Sequence, residues 1–341
     1  MKCYKCGASL PAGSNNCPSC GQLVFTRDIQ PGTMAFGHRL DGCLPEEPSA
    51  SDFRASPNLT TLPRSVDLRS GCTAVEDQGQ LGSCTANAAV GAMEYYLGKK
   101  GKAQTDLSRL FVYYNARRMD GTQDKDNGSR ISQGMAALLA FGVPPEQKWP
   151  YDIARFAETP PREVFDEAAA NTPTEYARVD GLENVKGALA RGYPVVFAAS
   201  LPTDYWKTVG KDGRGKTPTD KELENAATPS GTHAMLLVGY DDNAGHLVIR
   251  NSWGTVFGDQ GYFYLPAETW QKAMAANTTW ILGNLEASGD FTVVRPRLEI
   301  KDVKGSVKDM AEKLRQDIRT GLEAEIKDSF KDIKNRFRPP F

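Results

Sequence analysis

Residues Glu76–Leu97 read EDQGQLGSCTANAAVGAMEYYL. A polar loop passes into a run of small residues with no polar face. Such a run packs as a buried helix, because little in it needs water. Cys84 stands where the helix begins, and there the free backbone N–H groups and the macrodipole favour an anion. Gln78, six residues earlier, adds a side-chain amide. Whether Cys84 is a packed thiol or a reactive one depends on what the rest of the chain brings to it.

A nucleophilic thiol needs a base, a group that orients the base, and donors for the oxyanion. The chain has three histidines. His38 lies in a Pro/Gly/Ser-rich stretch. His246 follows DDNAG, a hairpin-turn signal, and is expected to be exposed. His233, in PSGTHAMLLVGYDD, opens an apolar strand pattern, where a histidine leaves water as the sheet begins. Downstream, HLVIRNSWGTVFGDQGYFYL places Asn251 at the end of another strand pattern, with Trp253 two residues on. An amide carbonyl there accepts from one imidazole N–H, and an indole beside it keeps water off that bond.

These segments resemble the papain family of cysteine peptidases over about residues 62–285. LPRSVDLRS, DQGQLGSC, GVPPEQKWPYD, GTHAMLLVGYDD and IRNSWGTVFGDQGYFYL follow the family's order, as does DNGSRISQG after the helical half. The resemblance implies an α+β, two-lobe fold with a helical lobe, a β-rich lobe and a cleft between them. It implies Cys84 as nucleophile, His233 as base and then acid, Asn251 as its orienter and Gln78 as oxyanion donor. Trp253 covers the His–Asn bond, and Gly128, with Asn127 beside it, resembles the glycine whose backbone pairs with extended substrates. Two positions depart from the family: Leu81 stands where a cysteine is usual, and Thr85 where an aromatic is usual, which would remove an aromatic wall near the cleft. The implied activity is hydrolysis of peptide bonds in a peptide or protein substrate. An endopeptidase is preferred, since no segment reads as a plug for one end of the cleft. The alternatives are a catalytically weak binding or scaffold protein, and an amidase or acyltransferase with the same triad.

The remaining cysteines divide. Cys3, Cys6, Cys17 and Cys20 form CYKC and CPSC with ten residues between the pairs. Paired knuckles of this kind bring four thiolates to one tetrahedral Zn2+, whose binding supplies the folding energy that so short a segment lacks. Residues 1–23 thus read as a zinc ribbon, resembling short ribbons at the ends of many prokaryotic proteins. Cys43 and Cys72 read as free, mostly buried thiols, with a mutual disulfide as the alternative.

Residues 24–61 read as an extended strap, either a short propeptide, with Cys43 or LPEEP near the cleft, or a strand packed permanently around the domain. Residues 62–295 carry the peptidase pattern. In 296–341, Val303, Val307, Met310, Leu314, Ile318, Leu322, Ile326, Phe330, Ile333 and Phe337 recur mostly at four-residue steps among charges. That is a long amphipathic helix, for docking on the domain or for oligomerisation. Net charge is -1 in 341 residues, with 41 basic and 42 acidic side chains, which argues against a broad nucleic-acid surface. No apolar run reaches the ~20 residues of a membrane span. Without an apolar leader, and with its unpaired thiols, the chain is expected in the cytoplasm. Protein partners are expected at the ribbon or the C-terminal helix.

Overall fold

The small-residue run forms α1 (Cys84–Lys99), buried along nearly its whole length. Alanine and glycine let other elements approach it closely: a Cβ on Gly91 would lie only 3.3 Å from Leu236. α2 (Arg109–Arg118) starts at Ser108, whose Oγ accepts from the Phe111 N–H. α3 (Ile131–Phe141) ends at Gly142, whose φ of +71° suits glycine. The three helices pack together through Leu110, Phe111, Met135 and Leu138 and form the first lobe.

The computed structural model describes residues 34–295, apart from 36, 48, 50, 51, 60 and 227–231. The zinc-ribbon cysteines and the amphipathic helix of 296–341 therefore lie outside the described residues. Everything below belongs to a unit that ends at Val294.

The strands are β1 (Met34–Ala35), β2 (His38–Arg39), β3 (Arg54–Pro57), β4 (Ser65–Asp67), β5 (Glu175–Arg178) and β6 (Val195–Ala199). β7 (His233–Asp241), β8 (His246–Arg250), β9 (Tyr262–Pro266), β10 (Trp280–Gly283) and β11 (Phe291–Val294) follow. β1 and β2 make a small hairpin. The others form one sheet in the order β11-β3-β5-β10-β6-β7-β8-β9, with β4 also on β7. Between its polar ends, His233 and Asp241, β7 is largely apolar because both its faces are covered. Ala234, Leu236 and Val238 face the core around α1, while Met235, Leu237 and Tyr240 face the second-lobe core, with Phe197, Ile249, Phe263 and Trp270. The two-residue period of a strand sorts these side chains between the two cores, and the register shift between Leu237 and Gly239 moves Tyr240 to the second-lobe side.

The helical half and the strand-rich half fall where the sequence patterns place them. The strap divides. Its later part is β3, paired in parallel with β5 and antiparallel with β11, and Ala55 is buried in the second core. α4 (Arg162–Ala168) lies between the halves in sequence. α5 (Leu182–Ala190) lies so close to β3 that a Cβ on Gly187 would stand 2.7 Å from Pro57 Cγ and 2.9 Å from its Cβ. A valine at Gly187 must push β3 away. Gly187→Val is expected to lose about 1–3 kcal/mol, the usual cost of overpacking, read as a lower urea midpoint with an unchanged slope.

Candidate active site

Cys84 is the first residue of α1, and its N-terminal neighbours are held from two sides. The Gln78 N–H donates to the Ser252 carbonyl (2.8 Å), and the Gly254 N–H donates to the Glu76 carbonyl (2.9 Å). The loop before the nucleophile is thus pinned to the segment after Asn251. The β7–β8 hairpin does the rest. Leu236 lies opposite Arg250, and the same register carried three residues on puts His233 across from Trp253.

His233 Nε2 donates to Asn251 Oδ1 at 2.8 Å, and the Ser252 N–H donates to the same oxygen at 2.9 Å. With its hydrogen on Nε2, the neutral ring keeps Nδ1 as its basic atom. Nδ1 is buried and makes no hydrogen bond among the described residues. Trp253 packs over the imidazole at 5.2 Å, tilted by 31°, and is itself braced by Trp206 and Phe257. Cys84 Sγ accepts from the Ala234 N–H at 3.4 Å, so the residue after His233 touches the thiol directly. Gln78 is fully buried. Its Nε2 donates to the Leu81 carbonyl at 3.1 Å, and its Oε1 accepts from Ser252 Oγ at 2.5 Å. The amide expected to meet an oxyanion therefore faces the turn that precedes Cys84.

The early part of the strap runs through this site. The Cys43 N–H and carbonyl exchange bonds of 2.8 Å with the Thr232 carbonyl and N–H. On the opposite edge, the Ser129 N–H donates to the Gly42 carbonyl at 3.1 Å, and the Leu44 N–H donates to the Ser129 carbonyl at 3.0 Å. Residues 42–44 are thereby paired on both sides, to the first lobe at Ser129 and to the second at Thr232. Gly42 covers the thiol. A Cβ on it would lie 2.9 Å from Cys84 Sγ and 2.7 Å from the Gly82 carbonyl oxygen. Upstream, His38 stacks on Trp253 at 5.2 Å and its Nε2 bonds Asp77 Oδ1 at 2.8 Å. Downstream, Glu46 accepts from Ser132 N (2.7 Å) and Oγ (2.8 Å), in the first turn of α3, where a carboxylate is favoured.

This cover decides the electrostatics. Burial pushes the Cys84 thiol up to about 12, and burial draws His233 down to about 4 despite the bond to Asn251. Both shifts favour the uncharged forms, where the bare motif leads one to expect a thiolate lowered by an imidazolium. Burial is the larger cause for both groups, and over the thiol Gly42 of the strap supplies part of that cover.

Other expectations are redrawn. The backbone that pairs with a chain in the cleft belongs to Ser129, while Gly128, at φ +79°, turns the loop closely against Gly42. Asn127 is half-buried, and its Oδ1 has no partner among the described residues. Thr85 does not stand as a missing wall of the cleft. It is fully buried, with its Oγ1 2.6 Å from Ser129 Oγ, and so braces that loop from below. Leu81 is fully buried in the first core. Cys43 and Cys72 are free thiols, not a disulfide. His246 is half-buried against Tyr264. Ser129 and Thr232 act through main-chain atoms, which leave no mark in the sequence.

A thiol at a helix start, an imidazole beside it and an amide holding that imidazole, set between a helical and a β-rich lobe, define a two-lobed cysteine peptidase. The family model "Papain family cysteine protease" matches residues 62–280. An uncharacterized peptidase C1-like protein of Acanthamoeba polyphaga mimivirus is 35% identical over 217 residues, which are 60% of this chain and 68% of the viral one. Cathepsin K of Gallus gallus is 30% identical over 231 residues, 63% of this chain and 62% of the cathepsin. Among solved structures, xylellain, a cysteine protease from Xylella fastidiosa, superposes with a TM-score of 0.63 at 32% identity, covering 75% of this chain and 98% of xylellain. The chain belongs to the papain family of cysteine proteases.

The cover over Cys84 makes a measurable prediction. In the unaltered chain, alkylation by iodoacetamide needs the thiolate, so its rate at Cys84 climbs only towards strongly alkaline pH. Gly42→Val forces the strap off the thiol and is expected to raise the labelling rate at neutral pH by roughly tenfold or more, given the ~1–3 kcal/mol cost of a backbone overlap. Peptide mapping of the labelled cysteine after a timed pulse reads both.

Proposed function

We propose that this chain is a cysteine endopeptidase held latent by its own strap. The observation that carries the reading is the His233–Asn251 bond at 2.8 Å, which leaves Nδ1 as the proton acceptor on the ring whose neighbour, Ala234, touches Cys84 Sγ. In the reaction, Cys84 Sγ gives its proton to His233 Nδ1 and attacks the peptide carbonyl carbon. The carbonyl electron pair moves to oxygen, which the Cys84 N–H and the Gln78 amide meet once that amide turns from Leu81. The C–N bond then breaks as the imidazolium returns its proton to the leaving amine. Water, deprotonated by the same imidazole, hydrolyses the thioester and restores the thiol. Asn251 holds the ring in the tautomer that both proton transfers need, and Trp253 keeps water off their bond.

The strap supports the endopeptidase reading. From His38 against Trp253 to Glu46 at α3, nine residues of chain lie along the cleft. A cleft that takes this length of backbone suits cleavage within a chain. For substrate to bind, residues 38–46 must leave, whereas β3 is part of the second-lobe sheet and stays. Cys84→Ala is expected to abolish hydrolysis of a fluorogenic peptide by the Gly42→Val chain. Asn251→Ala in that same chain is expected to lower kcat by about 10²–10³-fold while leaving the fold intact by circular dichroism, as removing an orienting partner does. Hydrolysis that survives Cys84→Ala would remove the reading.

At the N-terminus we propose one structural Zn2+ on Cys3, Cys6, Cys17 and Cys20, supported by the paired C-x-x-C spacing. Elemental analysis is expected to give about one zinc per chain, lost when Cys17 and Cys20 are both replaced by serine. The ribbon and the amphipathic 296–341 segment are proposed as protein-contact elements. The free thiols Cys43, Cys72 and Cys84 suit a reducing compartment such as the cytoplasm.

A further inference from the structure

Arg39, in the strap, is held by three side-chain hydrogen bonds. Its Nε donates to Asp41 Oδ1 at 2.7 Å, and its Nη1 donates both to Asp126 Oδ2 at 2.8 Å and to the Asp126 carbonyl at 2.9 Å. The Asp126 side chain is only 5% exposed. Its other oxygen accepts from the Gly82 N–H at 3.0 Å and from the Tyr113 hydroxyl at 2.5 Å. Arg39 and Asp41 come from the strap, but Asp126, Gly82 and Tyr113 belong to the peptidase domain. The domain therefore carries a built notch for a cation, and the strap fills it.

Without Arg39 the notch keeps a buried carboxylate with no hydrogen-bonded cation. The other guanidinium near Asp126 is that of Arg117, 4.0 Å over the Tyr113 ring. Its N–H groups already donate to the carbonyls of Tyr113, Gln123, Lys125 and Phe156. An uncompensated buried charge is costly, so the notch selects a positive group. The carboxylate and carbonyl of Asp126 converge on one nitrogen of a planar guanidinium, which suits arginine better than lysine.

The notch lies next to the reacting atoms. Gly82 is two residues before Cys84. A Cβ on it would stand 3.1 Å from Asp126 Oδ1 and 3.2 Å from Arg39 Nη1. The Gly82 carbonyl lies against Gly42, the residue that covers Sγ. We propose that Asp126 forms a guanidinium-binding subsite, so that the enzyme prefers substrates with arginine beside the scissile bond, and that Arg39 is the strap's own occupant of it. The substrate preference rests on the peptidase reading above; the notch itself does not.

The test uses the full chain carrying Arg39→Ala, which vacates the notch. Two fluorogenic peptides are compared that differ only in arginine or citrulline next to the cleaved bond; citrulline keeps the shape and lacks the charge. R39A is expected to favour the arginine peptide in kcat/KM by roughly tenfold or more, and the double variant R39A/D126N to lose that ratio. The same ratio in both variants would overturn the subsite. If the double variant does not fold, or if R39A cleaves neither peptide, labelling of Cys84 in R39A by iodoacetamide decides. N-acetylarginine amide, but not N-acetylcitrulline amide, should slow the labelling, and the protection should weaken with salt. Equal protection by both, or none, overturns the proposal even where the thiol is reactive.

Discussion

Gly42 has no side chain, and the closed state of this enzyme depends on that. Three backbone stretches converge above the thiol: the strap at Gly42, the turn at Gly82 and the loop at Gly128. Each is a glycine: at Gly42 and Gly128 a Cβ would collide with neighbouring backbone, and at Gly82 it would press on the Asp126 and Arg39 side chains. The close approach lets main chain, without side chains, seal the cleft. Backbone hydrogen bonds to Ser129 and Thr232 then satisfy the polar groups that the seal buries. The shifts of Cys84 and His233 away from ionisation follow from the same exclusion of water.

The machinery beneath the seal is held by pairing across the lobes. The β7–β8 register sets His233 near Trp253, and the 76–78 segment pairs with the 252–254 segment. Cys84, His233 and Asn251 sit on α1, β7 and the end of β8; the Ala234 N–H donates to Cys84 Sγ, and His233 Nε2 donates to Asn251 Oδ1. Trp253 packs against two imidazoles, His233 of β7 and His38 of the strap. One indole therefore contacts both the candidate triad and the strap.

The candidate triad could be picked out in the sequence because it is carried by side chains whose types are scarce. Three histidines and a thiol at a helix start leave few arrangements, and the strand patterns around His233 and Asn251 place both at sheet ends. The helical and strand-rich halves were legible from their periods. What escaped was written in main chain or depends on tertiary neighbours. Ser129 and Thr232 pair through peptide groups, so their side chains announce nothing. Thr85 read as a lost aromatic, and only its approach to Ser129 Oγ shows a buried brace. The strap was composed like a linker, and its split into a cleft-filling arm and a sheet strand depends on partners distant in sequence, such as Ser129 for Gly42 and Arg178 for β3.

That split has a kinetic meaning. β3 fixes the strap at Arg54, and the arm that ends at Glu46 is joined to it by seven residues, 47–53. A ligand on so short a linker meets its site at an effective concentration in the mM range. The arm therefore needs only modest intrinsic affinity to hold the cleft shut, and a dilute substrate competes with it poorly. The restraint is a property of the connection. Severing the chain between Glu46 and Arg54 would change no contact in the cleft, yet it would turn a local occupant into one that dilution removes.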